Sequence, residues 1–216
     1  MYVPAHFAAN DADGLIRLLA RRWAGVLVTV DADGTPFATH MPVLWDAETK
    51  IATGHIARAN PQWQSGPGRA LIVLGGAEAY VSPSWYPSKA EHGKVVPTWN
   101  YEAVHLSGAV EWFEGGERLE AMLRALTAFH EAERAEPWHV DDAPRAYIDA
   151  LKRGIVGVSL HADRIEAKRK LSQNKSAADV AGVERGLSAN GDALAQEVAA
   201  LMRAERASSD EPDGNG

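Results

Sequence analysis

Cysteine is absent from the 216-residue chain. That excludes disulfides, thiolate metal sites and a cysteine nucleophile. Long apolar runs are missing as well, and nothing approaches the ~20 residues a membrane-crossing helix needs. The opening stretch MYVPAHFAANDADG has neither a basic start nor an apolar core. No signal peptide is therefore expected, and the cytoplasm is the expected location. Positive charge is in short supply, with 22 Lys and Arg against 29 Asp and Glu and a formal net charge of −7. This balance opposes direct nucleic-acid binding, which rests on many cation–phosphate contacts. The glycine-rich dinucleotide and phosphate loops, the GxSxG elbow and HExxH are all missing. HEAER at His130 begins like the zinc helix but lacks its second histidine. His40 and His55 can meet on neighbouring strands, but a metal wants a third ligand, so no metal site is expected.

What is present is a globular composition, 46% apolar and 24% charged. The length suits one domain with a helical appendage. Leu15, Ile16, Leu18, Leu19 and Trp23 share a helical face from Asp11 to Trp23, with Asn10 or Asp11 as cap. Val26–Val30, the turn DADG and Pro36–Trp45 read as a hairpin. ETKIATGHI is a third strand, and ARANPQW a short helix or turn. RALIVLGG and EAYVSP read as a second hairpin joined near Gly75–Gly76. Ser82–Val96, rich in proline and charge, reads as a loop, and Val96–Trp112 as a long strand. Helices follow at about 117–133 and after Pro144. GIVGVSLHADRIEAK is a last strand. Ser176 and Asp192 cap two final helices, and ASSDEPDGNG is a polar tail expected to be disordered. Short strands that do not alternate with helices predict a mainly β protein, a β-barrel core with peripheral helices.

Three stretches carry candidate chemistry. Pro42 in THMPVLW donates no backbone hydrogen bond, which suits an edge strand or a strand beside a ligand. In GHIARANPQW a strand ends near His55 and turns into a helix start with Arg58 and Asn60. Free N–H groups and a guanidinium fork make this a candidate phosphate cradle, against a surface arginine and a turn asparagine. KRKLSQNKSAAD is the densest basic segment. Phosphate-ester contact, nucleic-acid contact and a solvated connection all remain open for it.

HIARANPQW, PSWYPSK, VPTWNYEAVHLSG and KLSQNKSAADVAGV, in that order, resemble the PaiB family, also called FMN-binding negative transcriptional regulators. The resemblance runs from MYVPAHF to about Leu187. It implies an FMN-binding split β-barrel domain over 1–187, related to the pyridoxamine 5′-phosphate oxidases. A C-terminal helix at 188–207 and the tail at 208–216 would follow. It also implies a homodimer with FMN at the subunit interface. By position, Thr39, His40, Met41 and Pro42 would border the flavin, and His55, Arg58 and Asn60 would lie near its phosphate. Thr98, Trp99 and Asn100 would lie near the ring or its mouth. Lys170, Gln173 and Asn174 would come from the C-terminal segment of either chain. Alternation separates Trp99 and Tyr101 from Thr98 and Asn100. The expectation is that the polar pair faces ligand atoms while the aromatics pack at the subunit boundary. The Ser84–Val96 loop is a candidate lid. The implied function is a flavoprotein, a possible oxidoreductase of unknown redox partner with a regulatory role. The alternatives are a regulator acting without flavin and a haem-binding barrel using His40, His55 or His161.

Overall fold

The computed structural model describes residues 1–210, with side chains through Ala207. From Glu211 on, the expected tail lies outside the described residues. The elements are α1 (Ala12–Arg22), β1 (Gly25–Val30), β2 (Pro36–Met41), β3 (Leu44–Asp46), β4 (Ile51–Ala57) and β5 (Gly68–Val81). Then come α2 (Ser88–His92), β6 (Thr98–Phe113), α3 (Gly116–Glu131), α4 (Arg145–Lys152), β7 (Ile155–Lys170), α5 (Ala177–Ser188) and α6 (Ala193–Asp210). The chain divides into two compact units. Asp11–Leu74 with Val104–Glu166 form a barrel unit, and Met1–Asn10, Gly75–Ala103 and the chain from Ala167 form a helical unit.

In the barrel unit the strands lie in the order β2-β1-β5-β6-β7-β4-β3. The hairpin β1–β2 pairs Val30 with Pro36. Its turn is set by Asp33, whose carboxylate accepts from Thr35 N at 2.9 Å, and by Gly34 at φ 86. β2 and β3 stand at opposite ends of the strand order, yet only Pro42 and Val43 separate them in the chain. A link that short brings the two sheet edges together and closes the sheet into a barrel. Pro42 is also why the single strand expected over Pro36–Trp45 is broken in two, since it supplies no donor to a ladder. At the closure Gly54 leaves no room for a side chain: a Cβ there would come within 2.2 Å of the Pro42 carbonyl oxygen. α1 is capped by Asp11, which accepts from Gly14 N at 2.8 Å. It buries Leu15, Ile16 and Leu19, while Leu18 turns outward. α3 buries Leu119, Met122 and Leu126 against Phe113 of the barrel.

The helical unit has its own core. Ala77, Ala79 and Val81 from β5, Tyr86, Leu171, Val183 and Leu187 pack with Val198, Ala199 and Met202 of α6. α6 is thus part of this core, and its backbone continues past residue 207 to Asp210. Two further expectations change. No hairpin turns at Gly75–Gly76. β5 runs straight through both glycines, and neither has the positive φ of a tight turn. Ser82–Val96 is not wholly irregular either: it holds a 3-10 turn at Pro83–Trp85 and the short α2, closed by Gly93 at φ 69. Two contacts anchor its first half. Ser88 is bonded to Asp179 through both its backbone N–H and its hydroxyl, and Tyr86 is buried. The part free to act as a lid is therefore limited to residues after Ser88.

Candidate functional site

The barrel seam gathers most of the early candidates. Asn60 Nδ2 donates to Thr39 Oγ1 at 2.8 Å, tying the β4–β5 connection to β2 across the seam. Met41 is buried with its thioether beside Gly54, and Pro42 covers the backbone next to His55. A cleft of ≈ 300 Å³ opens here. His40, Met41, Pro42, Arg21, Trp23 and His130 are among its lining residues. That volume lies at the small end of ligand clefts. On β4 and the connection after it two buried polar atoms have no hydrogen-bond partner, His55 Nδ1 and Gln62 Oε1. Burial holds the His55 imidazole below its ordinary pKa, so the neutral form, with one nitrogen free to accept, is favoured.

Arg58 sits at the same connection but turns away from the seam. Its Nε donates to the Arg153 carbonyl at 2.7 Å, Nη1 to Glu114 at 3.0 Å and Nη2 to the Ile155 carbonyl at 3.3 Å. The fork expected for phosphate is spent on protein acceptors. The helix start expected beside it is a five-residue 3-10 turn, Pro61–Ser65. Asn60 Oδ1 already accepts from Gln62 N at 2.9 Å. Little of the helix-dipole cradle therefore remains.

The later candidates lie in the helical unit. β6 keeps the expected alternation, but Asn100 turns into the core of the unit. Asn100 is fully buried and exchanges hydrogen bonds with Ser172 at 3.0 and 3.2 Å, with Met202 Sδ at 3.5 Å. Ser172 holds a left-handed φ of 69, and this exchange fixes it there. Asn100 is thus spent inside the unit and does not face an open ligand surface. Trp99, on the other face, is half-exposed and meets Tyr80 edge-to-face at 6.1 Å. Lys170 donates to Thr98 Oγ1 and to the Trp99 carbonyl. Gln173 closes its own turn, donating to the Arg169 carbonyl and accepting from Leu171 N. Asn174 is exposed.

Two charged arrangements escaped the sequence reading. Glu120 receives Arg145, Lys152 and Arg124, and hydrogen bonds from these three, in that order, hold its carboxyl far below the usual range. A cleft of ≈ 550 Å³ lies beside it. Glu120 or Asp141 already occupies Arg124, Arg145 and Lys152 there. The second arrangement is the pair of buried Glu102 with partly exposed Arg169 at 2.8 Å. Apart from Arg124, four residues after Glu120, the partners stand 17 to 67 positions apart, and no local pattern announces them. The lysines of KRK were legible as charge, but their surroundings were not. Among the described residues no helix is long and apolar enough to cross a membrane, and no cluster of three metal-ligating side chains occurs.

The family model described as "Putative FMN-binding domain" matches residues 1–164. The chain is 32% identical over 206 residues to the Bacillus subtilis protein named Protease synthase and sporulation protein PAI 2, covering 94% of this chain and 96% of the relative. Among solved structures, a conserved hypothetical protein from Mycobacterium tuberculosis, Rv2991, aligns with a TM-score of 0.56 at 15% identity. The alignment covers 81% of this chain and 92% of that one. An FAD and haem binding protein from Mycobacterium smegmatis aligns with a TM-score of 0.53 at 16% identity, covering 78% and 77%. At such identities these structures speak for the fold, a split barrel with peripheral helices.

Proposed function

Because the chain belongs to the FMN-binding domain family and is a PaiB-type split barrel, we propose that it binds FMN as a homodimer and carries out flavin redox chemistry. The observation that supports this most is the barrel seam. A cleft of ≈ 300 Å³ is lined there by His40, Met41 and Pro42, while β4 and the connection after it carry the unpartnered buried atoms of His55 and Gln62 and the Asn60–Thr39 link to β2. A flavin ring carries an N–H donor that acceptors such as Gln62 Oε1 or a neutral His55 Nδ1 can take up, so the residues present fit the group. Bound there, FMN would supply hydride or electron transfer. The chain's own part would be to hold and orient it, to keep water from one face, and to present His55 as a neutral acceptor. Half-exposed Trp99 and Tyr80 offer apolar ground for the second copy. The chain's net charge of −7 favours an indirect route for any effect on transcription, through a partner or a metabolite.

The test is a titration of purified protein with FMN, followed by its visible spectrum and flavin fluorescence. A saturable shift is expected. Asn60→Ala releases the link to Thr39 that ties the β4–β5 connection to β2, and should weaken binding about tenfold through that loss of order. Arg58→Ala should weaken it less, since its donors already have protein partners. A protein that leaves the flavin spectrum unchanged sinks the reading, and a Soret band would turn it to haem.

A further inference from the structure

β7 ends in Lys168-Arg169-Lys170, and strand alternation sends the arginine to one face and both lysines to the other. Arg169 is neutralised by Glu102. The lysines have no carboxylate at ion-pair distance among the described residues. Lys168 is only 7% exposed and donates to one acceptor, the Tyr2 carbonyl at 3.2 Å. Its ammonium lies 5.2 Å from the centre of the Tyr101 ring and 5.7 Å from that of Phe7. Lys170 lies 5.9 Å from the same Tyr101 ring, and its acceptors are neutral. Burial first, then the charges of Lys168 and Lys175, hold the Lys170 ammonium below the ordinary lysine range.

Two ammonium groups drawn out of water onto one aromatic ring repel each other and give up hydration. Cation–π contact and neutral carbonyls return only part of that cost. An oxyanion would restore the rest through charge-assisted hydrogen bonds. We propose that Lys168 and Lys170, flanking Tyr101, form a site for the phosphate group of a small ligand, entered where Lys170 and Trp99 reach the surface. The site rests on the flavin reading only in that FMN is one possible bearer of the phosphate. A free phosphate or another phosphate ester is the other source.

The test uses full-length protein without added cofactor. Lys170 is labelled with limiting acetic anhydride and followed by mass spectrometry, with exposed Lys94 as internal reference. Inorganic phosphate at about 10 mM, about ten times an assumed Kd of about 1 mM, replaces chloride at constant ionic strength. The expected result is labelling of Lys170 slowed at least about threefold with Lys94 unchanged, and loss of this protection in Lys168→Met. Equal slowing of both lysines, or none, overturns the site in the wild-type protein alone, so the conclusion survives if the variant fails to fold. Repeating with FMN and riboflavin separates the sources. Protection by FMN and phosphate but not riboflavin assigns the group to the flavin's phosphate. Protection by phosphate alone assigns it to another ligand, and it stands even if the visible spectrum shows no flavin bound. Equal protection by riboflavin and FMN, with none from phosphate, overturns it in favour of ring contact.

Discussion

The arginines of the barrel unit and the lysines beside Tyr101 and Tyr86 in the helical unit are held in opposite ways. In the barrel unit the arginines close onto acceptors: Arg58 on Glu114 and two carbonyls, Arg118 on Glu111, Arg124 and Arg145 on Glu120. In the helical unit Lys168, Lys170 and Lys175 lie on the faces of Tyr101 and Tyr86. A cation already paired has less to gain from a ligand. A cation packed on rings has charge left to satisfy. The identity of a basic residue therefore says less about a site than what the fold has put beside it. The sequence offers Arg58 and the KRK segment alike as candidates for phosphate, and Arg58 is the one already occupied.

The sharpest break of this comparison is Glu102→Gln. It would leave Arg169 without its carboxylate, so that this arginine joins the lysines as a cation lacking an acid partner. Glu102 is 2% exposed, so the change removes the buried partner of the pair and should cost roughly 3 kcal/mol. Urea unfolding checks it. A shift under about 1 kcal/mol would mean that water reaches the pair and that the unit is less closed than its geometry indicates.

Asn100→Ala comes next. The amide is fully buried on Ser172, so stability should fall by about 2 kcal/mol as the Ser172 hydroxyl loses its partner. FMN affinity should hardly move. The reverse pattern, unchanged stability with weakened flavin, would restore Asn100 to the ligand face. Glu120→Gln is the partly exposed counterpart in the barrel unit. It sits at the centre of a network that water screens, so the denaturation midpoint should drop slightly, and the drop should vanish at high salt.

These contrasts mark what could be read from the sequence. Strand alternation split Thr98 and Asn100 from Trp99 and Tyr101 correctly, because a period of two is a local property. The caps at Asp11, Ser176 and Asp192 were legible for the same reason, since each side chain bonds a backbone N–H two or three residues on. Which face of β6 meets the core was not local. It depends on Ser172 and Met202, 72 and 102 residues away. Gly75–Gly76 misled because a glycine pair permits a turn without requiring one. The seam was only half visible. Pro42 marked an edge, but nothing in its neighbourhood said that β2 and β3 close a barrel over Gly54.

The smallest expected effect tests the seam itself through pH. Burial lowers the His55 pKa from its ordinary value of 6.5. The folded state therefore binds a proton less readily at His55 than the unfolded chain does. The neutral form's advantage is fully present above about pH 6.5 and is lost as pH falls through the folded value. The urea midpoint should accordingly decline from about pH 7.5 to about pH 5.5, and His55→Gln should flatten that slope. His105, also lowered by burial, supplies a background that remains in the variant. Adding FMN sharpens the comparison. If the unpartnered Nδ1 accepts from the flavin, bound FMN should deepen the pH slope in the wild type and leave His55→Gln unaffected. An unchanged slope would place the flavin away from His55, and with it away from the side of the seam formed by β4.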